Sequence, residues 1–119
     1  MSELSYELFQ TLVNNYVEAF EKADMDLIRA IYADDATVED PVGSEPIQGI
    51  EAICEFYTQG FAAGAKLSLT QPIRVAGNSV AFAFAVKLGD MTINPIDVFE
   101  VNAAGKVQRM RAYWGPQNM

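Results

Sequence analysis

Residues 77–101 read GNSVAFAFAVKLGDMTINPIDVFEV. Gly77-Asn78 and Gly89-Asp90 are turn signals, and Ser79–Leu88 between them is a continuous apolar run of strand length. A second strand is expected over Thr92–Val101. Its odd positions, Ile93, Pro95, Asp97, Phe99 and Val101, share one face, and Thr92, Asn94 and Glu100 share the other. The alternation therefore puts an acid, Asp97, on the face that carries Phe99 and Val101. Pro95 admits a bulge that would reverse this parity and turn Asp97 outward.

Working outward, Ala65–Val75 reads as the preceding strand. Ala103-Ala104-Gly105 is a further turn, and Lys106–Trp114 is the last strand. Strands joined by such short turns form an antiparallel meander. Upstream the period changes. Leu8, Leu12, Tyr16 and Phe20, flanked by Phe9, Val13 and Val17, form one apolar stripe on a helix over Tyr6–Lys22. Asp24 can cap a second helix with Leu27, Ile28, Ile31 and Tyr32 inward. Asp34-Asp35 breaks that pattern. Ala36–Asp40 reads as a short strand, with Pro41 holding Asp40 extended. Val42–Gly49, with two glycines and Pro46, reads as a loop. Ile50, Ile53, Cys54, Tyr57 and Phe61 share one face of a third helix, closed by Gly60 and Gly64. The class expected is α+β: three N-terminal helices packed on a curved, mainly antiparallel sheet, within a single domain over 1–119.

Composition narrows the chemistry. The chain has 119 residues, 50% of them hydrophobic, and a net charge of −8. No basic stripe is visible, so nucleic acid is not an expected partner. There is no histidine at all. This removes Ser-His and Cys-His nucleophile pairs, His zinc sites and an imidazole proton shuttle. Cys54 is the only cysteine and reads as a small buried hydrophobe rather than a nucleophile. The opening MSELSYELFQ lacks the basic-then-apolar order of a signal peptide, and no apolar run nears the ~20 residues of a membrane span. A cytoplasmic protein without a membrane partner is expected.

Polar groups on apolar faces carry the functional information. Asp40 shares a strand face with Val38, so both Asp40 and Asp97 point inward, where an ionised, unpaired carboxylate is costly. Burial raises carboxyl pKa values, and such groups gather at functional sites. A hydrogen-bonded structural Asp is the competing reading for either one alone. The competing reading weakens for the pair, because no Lys or Arg falls on the inward faces. Tyr16, Tyr32 and Tyr57 each fall on the inner stripe of a different helix and could form a chain of hydroxyls. Amphipathic core tyrosines whose tips reach water are an equal alternative on spacing alone. Val38, Phe56, Phe82, Phe84, Phe99, Met110 and Trp114 are the expected pocket wall. Ala81, Ala83 and Ala85 form a small-residue face whose part in substrate fit the sequence leaves open. A base-competent Asp with neutral Tyr and Asp donors suits proton abstraction beside a carbonyl. Acyl transfer, metal-assisted hydrolysis and phosphate chemistry lack their residues.

These same residues resemble the bacterial ketosteroid isomerases. The resemblance is strongest over Tyr32–Gly43, YADDATVEDPVG. It extends to NNYVEAF around Tyr16, EFYTQG around Tyr57, NPIDVFEV around Asp97 and the closing RMRAYW. It implies Asp40 as the catalytic base, Tyr16 as the main oxyanion donor and Asp97 as a second, protonated donor. Ketosteroid isomerase is itself the standing example of a carboxylic acid kept neutral by an apolar site, so that role comes with the resemblance. Tyr32 and Tyr57 are implied as the network that tunes Tyr16, and Trp114 as an aromatic wall supporting the base. The implied fold is the cone of the nuclear-transport-factor-like superfamily, usually a homodimer. The implied substrate is a small-molecule steroid, with no cofactor and no metal. The rival readings are a SnoaL-like polyketide cyclase and a non-catalytic steroid- or lipid-binding module of the same fold.

Overall fold

The computed structural model describes residues 5–119; residues 1–4, the start of the stretch read as lacking a signal peptide, lie outside the described residues. The three α-helices are α1 (Tyr6–Lys22), α2 (Met25–Ile31) and α3 (Ile50–Ala62), with two strands between α2 and α3. The Ser5 hydroxyl caps α1 by accepting from the Leu8 N–H. Asp24 caps α2 as its sequence position suggests, its Oδ1 accepting from Asp26 N and Leu27 N. Among the described residues, no helix is long and apolar enough to cross a membrane.

The strands are β1 (Tyr32–Glu39), β2 (Ile47–Gln48), β3 (Lys66–Leu69), β4 (Arg74–Ala76), β5 (Ser79–Leu88), β6 (Met91–Ile93), β7 (Ile96–Val101) and β8 (Val107–Tyr113). They form one sheet in the order β2-β1-β8-β7-β5-β3, with β4 and β6 also paired to β5. All pairings are antiparallel except β1 with β8. The long apolar strand is the hinge of the sheet. Its first half, Ser79–Ala83, lies between β4 and β7, and its second half, Phe84–Leu88, lies between β3 and β6. This change of partners curves the sheet around the helices.

Several boundaries differ from the sequence pattern. The strand expected over Ala65–Val75 is two pieces separated by Thr70–Ile73, and Thr92–Val101 is interrupted at Asn94-Pro95, where proline cannot continue a ladder. The parity survives this break: Asp97, Phe99 and Val101 are all buried, whereas Ile96 is exposed. Tyr32 belongs to β1 and not to the stripe of α2. Its N–H still donates to Ile28 O as the helix cap while its backbone turns extended, which keeps the side chain inward. Asp34-Asp35 does not end an element. Both residues are exposed within β1, where the register against β8 shifts between Tyr32 and Thr37. The loop over Val42–Gly49 contains the short strand β2. Gly60 lies inside α3, while Gly64 follows it with a positive φ.

The core packs α1, α2 and α3 against the concave face of the sheet through Phe9, Val13, Ile28, Ile53, Phe82 and Phe99, all essentially inaccessible. Cys54 is buried among them.

Candidate active site

Curvature of the sheet leaves a cavity of roughly 350 Å³ between α1, α3 and the second half of β5. That size lies in the range of small-molecule sites. Its walls are mostly apolar: Phe20, Phe56, Gly60, Ala63, Ala65, Leu67, Phe84, Val86, Leu88, Ile93, Pro95 and Ala112. The polar groups are Tyr16, Asp40, Tyr57, Gln59, Asp97 and Trp114. Five of these six were singled out by sequence; Gln59 was not.

Each polar group has a local cause. The i, i+4 stripe of α1 turns Tyr16 inward, between Leu12 and Phe20. The period-2 alternation of β7 turns Asp97 inward beside Phe99. Asp40 follows the last residue of β1. Trp114 follows the last residue of β8, and its indole Nε1–H donates to Asp40 Oδ1 at 2.7 Å.

The tyrosines form an ordered chain. Tyr57 donates its hydroxyl hydrogen to the Tyr16 oxygen at 3.2 Å. Tyr32 and Tyr57 hydroxyls lie 2.6 Å apart. A phenol has one hydrogen to give. With that of Tyr57 directed to Tyr16, Tyr32 must be the donor to Tyr57. The chain therefore runs Tyr32→Tyr57→Tyr16, and the hydrogen of Tyr16 is left for the cavity. Tyr32 itself is buried behind the wall and does not line the cavity.

Asp97 is the anomaly of the molecule. It is the one buried acidic or basic residue among the described residues, at 1% exposure, and neither carboxyl oxygen has a hydrogen-bond partner. Burial, with the nearby charge of Asp40 second, pushes its pKa well above the ordinary carboxyl value, opposed only in part by the neighbouring Tyr16 hydroxyl. Its protonated form is thereby favoured. Burial also raises Asp40, opposed by the Trp114 hydrogen bond, so Asp40 is the more readily ionised of the two. Burial, and second the proximity of the Asp97 carboxyl in its ionised form, raise Tyr16 well above a normal phenol, which favours its protonated form. The two carboxyl groups thus sit in different environments, with Asp97 shifted further toward its protonated form than Asp40.

Four residues expected on the wall are not there. Val38, Phe82, Phe99 and Met110 are fully buried and form the layer behind the cavity. Phe82 and Phe99 meet the Tyr16 ring edge-on at 5.8 and 5.3 Å, so they pack it in place from behind the wall. Phe56, Phe84 and Trp114 do line the cavity. Ala81, Ala83 and Ala85 point to the opposite face of β5 and take no part in the wall. The wall residues from β3 and from the far end of β5 carried no sequence signal, since they read as ordinary strand positions until the sheet curves.

The SnoaL-like domain family matches residues 13–110 of the chain. A steroid Delta-isomerase of Nocardioides simplex is 41% identical over 112 residues, covering 90% of this chain and 89% of that protein. The solved structure of SalBIII, described as an epoxide hydrolase/cyclase-like enzyme with a role in pyran ring formation in the polyether salinomycin, aligns with a TM-score of 0.82. It is 28% identical and covers 92% of each chain.

Proposed function

From the premise that the chain belongs to the SnoaL-like domain family, we propose that it is a steroid Δ-isomerase acting on β,γ-unsaturated 3-ketosteroids. The observation that carries this reading is Asp97, a buried carboxyl with neither oxygen satisfied, lining an apolar cavity together with Tyr16 and Asp40. Left alone, such a group is a net cost to the fold. A ligand oxygen that accepts from it removes that cost.

Asp40, as carboxylate, takes a proton from the carbon between the ketone and the double bond. The C–H electron pair moves into the conjugated system, and the negative charge collects on the carbonyl oxygen. Tyr16 and neutral Asp97 donate to that oxygen, the charge-stabilising role that preorganised donors perform best in a dry site. Protonated Asp40 then returns the proton two carbons further along, giving the conjugated enone and restoring the carboxylate. Tyr57, itself receiving from Tyr32, donates to Tyr16 and strengthens its remaining hydrogen as a donor. Trp114 holds Asp40. No step calls for a cofactor or a histidine.

The 41% identical steroid Delta-isomerase supports the substrate class. Formation of the conjugated enone from a β,γ-unsaturated 3-ketosteroid, followed by ultraviolet absorbance, tests the reading. Folded protein is expected to accelerate it far beyond buffer; no acceleration contradicts it. The same reading includes a cytoplasmic homodimer. The surface that fits a second copy is the outer face of the sheet, where the rows Ala83–Ile96–Tyr113 and Ala81–Val98–Arg111 run across β5, β7 and β8. Ile96 and Tyr113 there are 47% and 43% exposed.

A further inference from the structure

We propose that Gln59 is a specificity-determining binding residue that reads the end of the ligand remote from the reacting carbonyl. The proposal rests on the steroid reading above. Of the other polar groups that line the cavity, Tyr16, Tyr57 and Asp97 are buried, and Asp40 and Trp114 are half-buried. Gln59 is the one polar lining side chain that is exposed and has no part in the proton transfer, so it stands at the mouth. It lies on α3 about one turn from two other wall residues, Phe56 and Ala63. Its side-chain amide makes no hydrogen bond to any described residue.

A rigid, elongated ligand with its carbonyl oxygen on Tyr16 and Asp97 has its opposite end at the mouth. The amide there both donates and accepts. It therefore hydrogen-bonds either a ketone, through Nε2–H, or a hydroxyl, through Oε1. A far end without oxygen leaves the amide to water and gains nothing from it.

The test is equilibrium binding followed by fluorescence of Trp114, the only tryptophan, which lines the cavity. Conjugated 3-ketosteroids carrying a 17-ketone, a 17-hydroxyl or an unsubstituted C17 are compared in wild type and in Gln59→Leu and Gln59→Glu. Gln59→Leu is expected to weaken both oxygenated steroids about three- to tenfold, the worth of one net hydrogen bond. The unsubstituted steroid is expected to bind as before, which also reports that the variant is folded. Gln59→Glu, which only accepts at neutral pH, is expected to keep the 17-hydroxyl steroid and weaken the 17-ketone. Equal effects on all three steroids in both variants, or no effect on any, overturn the assignment. Wild type that binds these steroids yet forms no enone overturns the proposed activity and leaves the binding ratios readable. Wild type that binds none overturns both.

Discussion

The Trp114 indole donates to Asp40 Oδ1 at 2.7 Å, joining the end of β8 to the residue that follows β1. These strands are neighbours through the parallel pairing in the sheet, Glu39 lying opposite Arg111. The bond favours the ionised carboxylate against the burial that raises its pKa. Trp114→Phe keeps a ring and removes the donor. The pKa of Asp40 then rises further, so less carboxylate is present at a given acidic pH. The acid limb of kcat/KM is expected to move upward by about one pH unit. A pH–rate profile of the variant that overlays wild type contradicts this role.

Tyr16→Phe removes the hydrogen aimed into the cavity. Loss of one preorganised donor raises the barrier by about 3 kcal/mol, seen as a roughly 10²-fold fall in kcat. Tyr57→Phe leaves that hydrogen in place and removes only the bond donated to Tyr16. A smaller loss, about tenfold or less, is expected from kcat measured on the same steroid. A Tyr57→Phe effect as large as that of Tyr16→Phe contradicts the order of the chain.

Asp97 makes stability depend on pH in a defined direction. Its folded pKa lies well above its value in the unfolded chain, about 4. Between those two values the native state holds a proton that the unfolded chain releases. Stability contributed by this group is thus full below pH ~4 and falls as pH rises toward the folded pKa. Asp97→Asn has no such proton. Its stability relative to wild type is expected to grow from pH 4 toward neutrality in urea unfolding, even as kcat falls. A stability difference independent of pH contradicts a neutral Asp97.

The outer sheet face gives the fourth expectation. Tyr113→Asp places a charge beside Ile96, its cross-strand partner, without touching the cavity. Sedimentation is expected to give a dimer for wild type and a shift toward monomer for the variant. A wild-type monomer at micromolar concentration, or a variant dimer as tight as wild type, contradicts this surface.

Much of the site was legible because strand and helix periods are local. Asp97 was found from alternation alone, and the break at Pro95 did not disturb it, because both faces resume their parity in β7. Tyr16 and Tyr57 followed from the stripes of α1 and α3. Tyr32 pointed the right way from the wrong element, since a residue four beyond Ile28 keeps its direction whether the helix continues or ends there. What stayed hidden depends on the curvature of the sheet. The switch of partners along β5 decides that Phe84 lines the cavity while Phe82 supports Tyr16, although both share one face of the strand. Ala81, Ala83 and Ala85 lie outside by the alternation of β5 alone. Gln59 was hidden for another reason: an exposed glutamine on a helix has no pattern to violate.

The central claim is that Asp40 carries the proton from one carbon to the other. It is tested most directly by enone formation from a β,γ-unsaturated 3-ketosteroid, with wild type and Asp40→Asn measured side by side and steroid binding checked for both. Asparagine keeps the shape and can still accept from Trp114, but it is not a base. Turnover by the variant is expected to fall by roughly 10²–10⁴-fold or more with binding retained. Turnover near that of wild type would contradict the account.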